Sequence, residues 1–306
     1  MEHGFLGSGV TDAGTWSDFY RDAQLLAARR DSEMHAQLEA HSDVPSLEAI
    51  INKKYPPYHM VIPDQYRVEV FLREFQQYVE RGDLPELVVM SLTNDHTEGT
   101  RATYPTPRAM VADNDLALGR VVEAISHSPY WKDSVIFVIE DDAQNGVDHV
   151  DGHRTIGYVI SPYTKRGVVD NHYYSQLDMI RAMEQMLGLP PMNQMDMAVE
   201  PTSMAEVFTA NPNFTPFAAL PNQVRLDELN PAVAALRGME LEWAHASGQM
   251  DFSRPDVAGE ELLNRAIWYS TKGFNVPYPG DSRVLRPVEV QLFGRRDQAE
   301  GRPAMH

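Results

Sequence analysis

The 306-residue sequence contains no cysteine. This removes disulfides, thiolate metal ligands and a cysteine nucleophile together, and with them any soft-metal centre. The absence fits a reducing and an oxidising compartment equally well. No apolar run reaches the roughly 18 to 20 residues that cross a bilayer, so no membrane span is expected. The stretch Met1-Glu2-His3-Gly4-Phe5 lacks the basic and apolar parts of a secretory signal. A soluble chain without an export address is therefore expected. Basic charge is scarce, with 26 Lys and Arg against 44 Asp and Glu and a formal net charge of -18. Such a surface repels nucleic-acid backbones and anionic lipid, so neither is expected as a partner. Internal repeats and low-complexity blocks are also missing.

What remains is ordinary globular material, 43% hydrophobic and 23% charged, enough for one large domain or a domain with an appendage. Trp16 to about His41 is rich in Ala, Leu, Glu, Arg and Gln and predicts a helix. Over Asp64–Tyr78, Val68, Phe71, Leu72, Phe75 and Tyr78 fall at three- and four-residue steps, with Asp64 placed to cap the start and Gly82 after the end. Leu87–Leu92 is a short apolar β-type run that opens into Thr93-Asn94-Asp95-His96-Thr97-Glu98-Gly99. A helix capped by Asp113 or Asn114 should follow through Leu116, Val121, Val122 and Ile125 and stop near Ser128-Pro129. Val135–Ile139 and Ile156–Ile160 predict further strands, and Ser175–Leu187 a helix ending at Gly188. Strands alternating with helices imply a largely parallel, two-sided sheet. Residues 192–221 read as irregular, while Pro231–Ala246 and Gly259–Tyr269 look helical and should pack over the core.

The densest chemistry follows the run Val135–Ile139: Glu140, Asp141, Asp142, Asp148 and Asp151, interleaved with His149 and His153 and closed by Arg154. Like charges packed at a strand's end call for cations nearby. A solvated turn is the bland alternative, but it does not need imidazoles. Carboxylates mixed with neutral imidazole are the ligands of Zn, Mn or Fe, and of Mg or Ca where oxygens dominate. Asp141 and Asp142 are adjacent, so a regular strand would separate them, whereas a loop at its end can bring both to one ion or leave one to each. His149 and His153 are candidates for metal or phosphate. Asp95 and His96 form a second candidate pair, because turn chemistry does not require a His after Asn-Asp. Arg154 suits a bidentate phosphate contact and equally a salt bridge to Asp148 or Asp151. Asp113, Asn114 and Asp115 read as structural, His127 as a helix-end dipole partner, and Met179, Met183 and Met186 as core. Lys165-Arg166-Gly167 is the best basic spot nearby.

Read together, Asn94-Asp95-His96-Thr97, the run Val111–Arg120, Ile125–Trp131, the acidic stretch and Ser161-Pro162-Tyr163 resemble the phosphoesterase family of the alkaline phosphatase superfamily, which includes bacterial phospholipase C-like and acid phosphatase-like enzymes. The resemblance covers about residues 60 to 210, with weaker similarity through Leu262–Trp268. It implies a three-layer α/β/α core (61–210), preceded by a helical segment (1–60) and followed by a helical and irregular extension packed on the core (211–306). It also implies one or two divalent metal ions (Zn, Mn, Mg, Fe or Ca) and a phosphate-ester small molecule or lipid headgroup as substrate. By the same resemblance Asp141 and Asp142 hold one metal, and Asp95 and His96, with His149 or His153 as the third ligand, hold a second; His153 and Arg154 are the candidates for substrate phosphate. Members of the family are often exported. One part of the pattern is absent: family members carry a segment with Glu-Asn followed by a hydroxyl nucleophile after the first core strand. Residues 1 to 60 hold no such segment, and Thr11, Thr15, Ser17 and Ser42 follow no apolar strand. The expectation is a C-terminal part of a longer phosphoesterase, or else a degenerate enzyme or a non-catalytic metal-binding module.

Overall fold

Thr15 starts the first helix. Its backbone N–H and its hydroxyl both donate to the Asp18 carboxylate at 2.8 Å, and its Oγ1 accepts from the Asp18 N–H. This reciprocal cap begins α1 (Trp16–Ala27). The structure, a computed structural model, describes residues 14–36, 38–141, 155–200, 202–251 and 259–279. The helix is shorter than the composition predicts, for two reasons. Arg29 takes a left-handed φ of 57°, and buried Asp22 draws the chain back by accepting from the N–H groups of His35 (2.9 Å) and Ala36 (3.3 Å) and from His35 Nδ1 (2.6 Å).

The apolar face of α1, Phe19, Ala23 and Leu26, packs against Val61, Ile62, Tyr66 and Val70. The single turn α2 (Pro45–Glu48) lies between the two partners in sequence. α3 (Asp64–Arg81) ends at Gly82, whose φ of 74° closes the helix as expected. Its Val68, Phe71 and Phe75 meet Ala117 and Val121 of α4 (Pro107–Ser126). α4 does not begin at Asp113 or Asn114. It begins two turns earlier, because Pro107 presets the first helical φ and Thr106 Oγ1 accepts from the Ala109 N–H. Asp113 therefore lies inside the helix, on the face it buries.

Leu87–Leu92, expected as a strand, joins no described sheet. Met90 and Leu92 pack on the α3/α4 cluster, whereas Leu87, Val88 and Val89 are exposed. The described sheet consists of β1 (Ile136–Ile139) and β2 (Gly157–Ile160), which pair antiparallel with Ile136 opposite Ile160 and Ile139 opposite Gly157. The expected parallel order is thus not the order of these two strands. Parallel neighbours need a crossover that returns the chain to the same end, usually through a helix, and here the second strand runs back along the first. The class is mixed α/β. Phe137, Ile139 and Val159 pack on Met179 and Ala182 of α5 (Gln176–Met186), which Ser175 and Asp178 cap reciprocally. Met179 is core as its spacing predicts, but Met186 is half exposed. A turn, α6 (Gln194–Met197), follows.

The chain divides into two compact units, residues 1–139 with 157–232, and residues 140–156 with 233–306. In the second unit, α7 (Gly238–Gly248) and α8 (Glu260–Lys272) bring Trp243 and Tyr269 to a ring separation of 5.1 Å, and Trp268 Nε1 donates to the Val276 carbonyl.

Candidate functional site

Asp95 and His96 lie on one 3-10 turn, Asn94–His96, which follows the extended 87–92 segment. The turn is held from α3. The Asp64 carboxylate, on the first residue of that helix, accepts the N–H groups of Thr93 (3.1 Å) and Asn94 (3.0 Å). Asp64 was expected to cap its own helix, but its side chain caps the turn instead. α3 receives its cap from α4: Asp113 accepts the N–H groups of Asp64 (2.6 Å) and Gln65 (3.3 Å), and also Asn94 Nδ2 (2.6 Å).

Both carboxylates are fully buried. Asp64 is balanced by Arg67, also fully buried, at 3.0 Å. The rest of that guanidinium donates to the carbonyls of Ile62, Pro57 and His59. Burial, reinforced by the neighbouring Asp64 charge, pushes the Asp113 carboxyl up to about 7, against the hydrogen bonds it accepts from Asn94, Asp64 and Gln65. Three buried polar atoms in this knot, Thr93 Oγ1, Asn94 Oδ1 and Arg67 Nε, have no hydrogen-bond partner among the described residues.

Asn114 carries the network to the candidate ligands. Its Nδ2 donates to Asp64 Oδ2 and to Asp95 Oδ1, both at 3.1 Å, so half-buried Asp95 is oriented from α4. His96 is exposed, with Nδ1 at 3.1 Å from the Thr97 carbonyl. A carbonyl only accepts, so in this contact the imidazole donates from Nδ1. The Tyr58 ring stands edge-on to His96 at 5.9 Å. Burial, and then the Arg67 charge, lowers the pKa of the nearby His59 and favours its neutral form.

Asp141 is exposed and belongs to the second unit. Asp142, His149, His153 and Arg154 lie outside the described residues. Among the described residues no three His, Asp or Glu side chains are grouped to hold a metal ion. A half-buried carboxylate and an imidazole are nevertheless ligand types that suit a hard or borderline divalent cation. His127 Nδ1 donates to the Glu123 carbonyl (2.9 Å) at the end of α4, in keeping with a structural role, and Lys165 pairs with Glu206 at 3.0 Å.

Sequence reasoning missed Asp64, Arg67, Asp113 and Asn114 as the support of the turn. A signal for Asp113 was present: Met110, Asp113, Ala117 and Val121 share one helical face, and a carboxylate on an apolar face needs partners.

Residues 51–190 match the Phosphoesterase family. The match encloses α3, the Asn94–His96 turn, α4, both strands and α5, and it agrees with the resemblance carried by the motifs. No curated protein and no solved structure matches the chain. The phosphoesterase match supports an α/β fold, phosphate-ester hydrolysis as the reaction class and a phosphate ester as the kind of substrate. Among the described residues, no helix is long and apolar enough to cross a membrane.

Proposed function

We propose that this chain supplies the metal-binding part of a phosphoesterase of the alkaline phosphatase superfamily. Asp95 and His96 would hold a divalent cation (Zn, Mn, Mg, Fe or Ca); Asp141, Asp142, His149 and His153 of the acidic stretch are the other candidate metal ligands, and His153 and Arg154 the candidates for the substrate phosphate. The observation that carries this reading is the turn itself. Within the segment that matches the family, buried Asp64 holds the turn through the Thr93 and Asn94 amides and half-buried Asn114 donates to Asp95, which fixes a carboxylate next in sequence to the His96 imidazole. When bound, the cation neutralises non-bridging phosphate oxygens, lowers the pKa of the attacking group and stabilises the leaving oxygen. The protein's own residues orient: Asn114 holds Asp95, the Thr97 carbonyl accepts from His96 Nδ1, and the Arg154 guanidinium suits two phosphate oxygens. The hydroxyl nucleophile is assigned to polypeptide preceding these residues in a longer enzyme.

Phosphate release from p-nitrophenyl phosphate and bis(p-nitrophenyl) phosphate tests this, measured on the chain alone and on a form extended upstream. Mn, Zn, Mg and Ca are each added and then removed by chelation. Turnover in the extended form that disappears with chelation is expected; absent or metal-independent turnover rejects the reading. The missing Glu-Asn-hydroxyl segment in residues 1–60 favours a second reading, a non-catalytic metal-binding module. That module takes up metal stoichiometrically and melts higher with metal, without hydrolysis.

A further inference from the structure

Tyr58 differs from the two tyrosines that flank it in sequence. Tyr55 and Tyr66 pack in the apolar cluster between α1 and α3, whereas Tyr58 keeps 48% of its surface open. The backbone that carries it is nonetheless fastened on both sides. The buried Arg67 guanidinium donates to the carbonyls of Pro57 (2.8 Å) and His59 (3.2 Å), the residues immediately before and after Tyr58. The Tyr55 hydroxyl donates to the Ser91 carbonyl at 2.6 Å, and Pro56-Pro57 restrict the backbone in between. Arg67 is also the counter-ion of Asp64, whose carboxylate accepts the Thr93 and Asn94 N–H groups and so sets the Asn94–His96 turn. One buried ion pair therefore holds both Tyr58 and the candidate ligands. The two side chains meet: the Tyr58 ring is edge-on to the His96 ring, with 5.9 Å between centroids and 89° between planes.

We propose that Tyr58 is a substrate-contact residue that selects phosphate esters whose alcohol carries a flat ring, by stacking with that ring beside the phosphate site at Asp95 and His96. This rests on the reading of Asp95 and His96 as cation ligands. An ester's organic group is one oxygen away from its phosphorus, so a phosphate held beside His96 brings that group next to the ring in contact with His96. A tyrosine whose backbone is already fixed loses little freedom when a second ring stacks on it, and aromatic pairing adds to the area it buries. Aliphatic alcohols, the glycerol of a lipid among them, gain no such pairing.

The test is calorimetry on the full 306-residue chain with Mn, using phenylphosphonate and methylphosphonate, which are not hydrolysed and differ only in the group offered to Tyr58. The unsubstituted chain should bind phenylphosphonate about 3- to 10-fold more tightly, the worth of one aromatic pair. Tyr58→Phe should keep that ratio, and Tyr58→Ala should bring it to about 1. Equal affinities on the unsubstituted chain overturn the proposal and leave the cation reading standing. So does a preference that survives undiminished in Tyr58→Ala, or in Tyr58→Leu should the alanine form not fold. Binding of neither phosphonate removes the phosphate site itself and the proposal with it, so the two failures are told apart.

Discussion

Replacing Asp113 by asparagine should change how stability depends on pH more than it changes stability at any single pH. The carboxyl is fully buried beside Asp64 and is raised from 3.8 to about 7 in the native state. At about 1.36 kcal/mol per pKa unit, ionising it in place costs up to about 4 kcal/mol. Between pH 4 and 7 the native state retains a proton that the unfolded chain has released. Its contribution to stability therefore falls as pH rises through that window, and the full cost is present above it. Asparagine does not titrate. Its Oδ1 can accept from the Asp64 N–H and Asn94 Nδ2, but its amide NH2 then faces the Gln65 N–H, which forfeits one bond of about 1 kcal/mol. Urea unfolding of both forms from pH 4 to pH 8 should show the variant less stable at the acid end. The difference should shrink or reverse towards pH 8, with a total change approaching about 4 kcal/mol. Two parallel stability curves would refute the argument and show that Asp113 is already ionised in the native protein throughout.

Arg67→Leu leaves Asp64 buried without its counter-charge, and both side chains are fully enclosed, so a loss of about 3 to 5 kcal/mol in urea unfolding is expected. A loss under about 1 kcal/mol would mean that the turn's amides alone hold the carboxylate. Thr15→Ala removes the hydroxyl half of the cap on α1 and should cost about 1 kcal/mol, measurable in the same way. His96→Ala should weaken Mn binding at least about tenfold in calorimetry. Its ring is exposed, so the melting temperature without metal should hardly move. Equal Mn affinity in this variant would take His96 out of the ligand set.

The helices were the legible part of the sequence. The three- and four-residue apolar spacing in α3, its glycine stop and the Ser175 start of α5 all act locally, and each element forms where those signals stand. The start of α4 was misread because Asp113 looks like a cap in one dimension. The real signal, Thr106-Pro107, lies upstream, and Asp113 caps a different helix. Strand pairing was not legible at all, because an apolar run such as Leu87–Leu92 records its preference for extended backbone but not which neighbour it bonds. At the candidate site, Asp95 and His96 stood out by residue type. Asn114 did not, since its role depends on a contact spanning 19 residues.

The exchange of caps between α3, α4 and the Asn94–His96 turn bears on how this part of the molecule assembles. α3 lacks acceptors for its first amides until α4 is alongside, and the turn lacks them until α3 has formed. None of the three is complete by itself, so they should consolidate in a single cooperative event, the latest of them limiting the others. The amide protons of Thr93 and Asn94, though they sit in an irregular segment, should then exchange with solvent as slowly as those at the centre of α3.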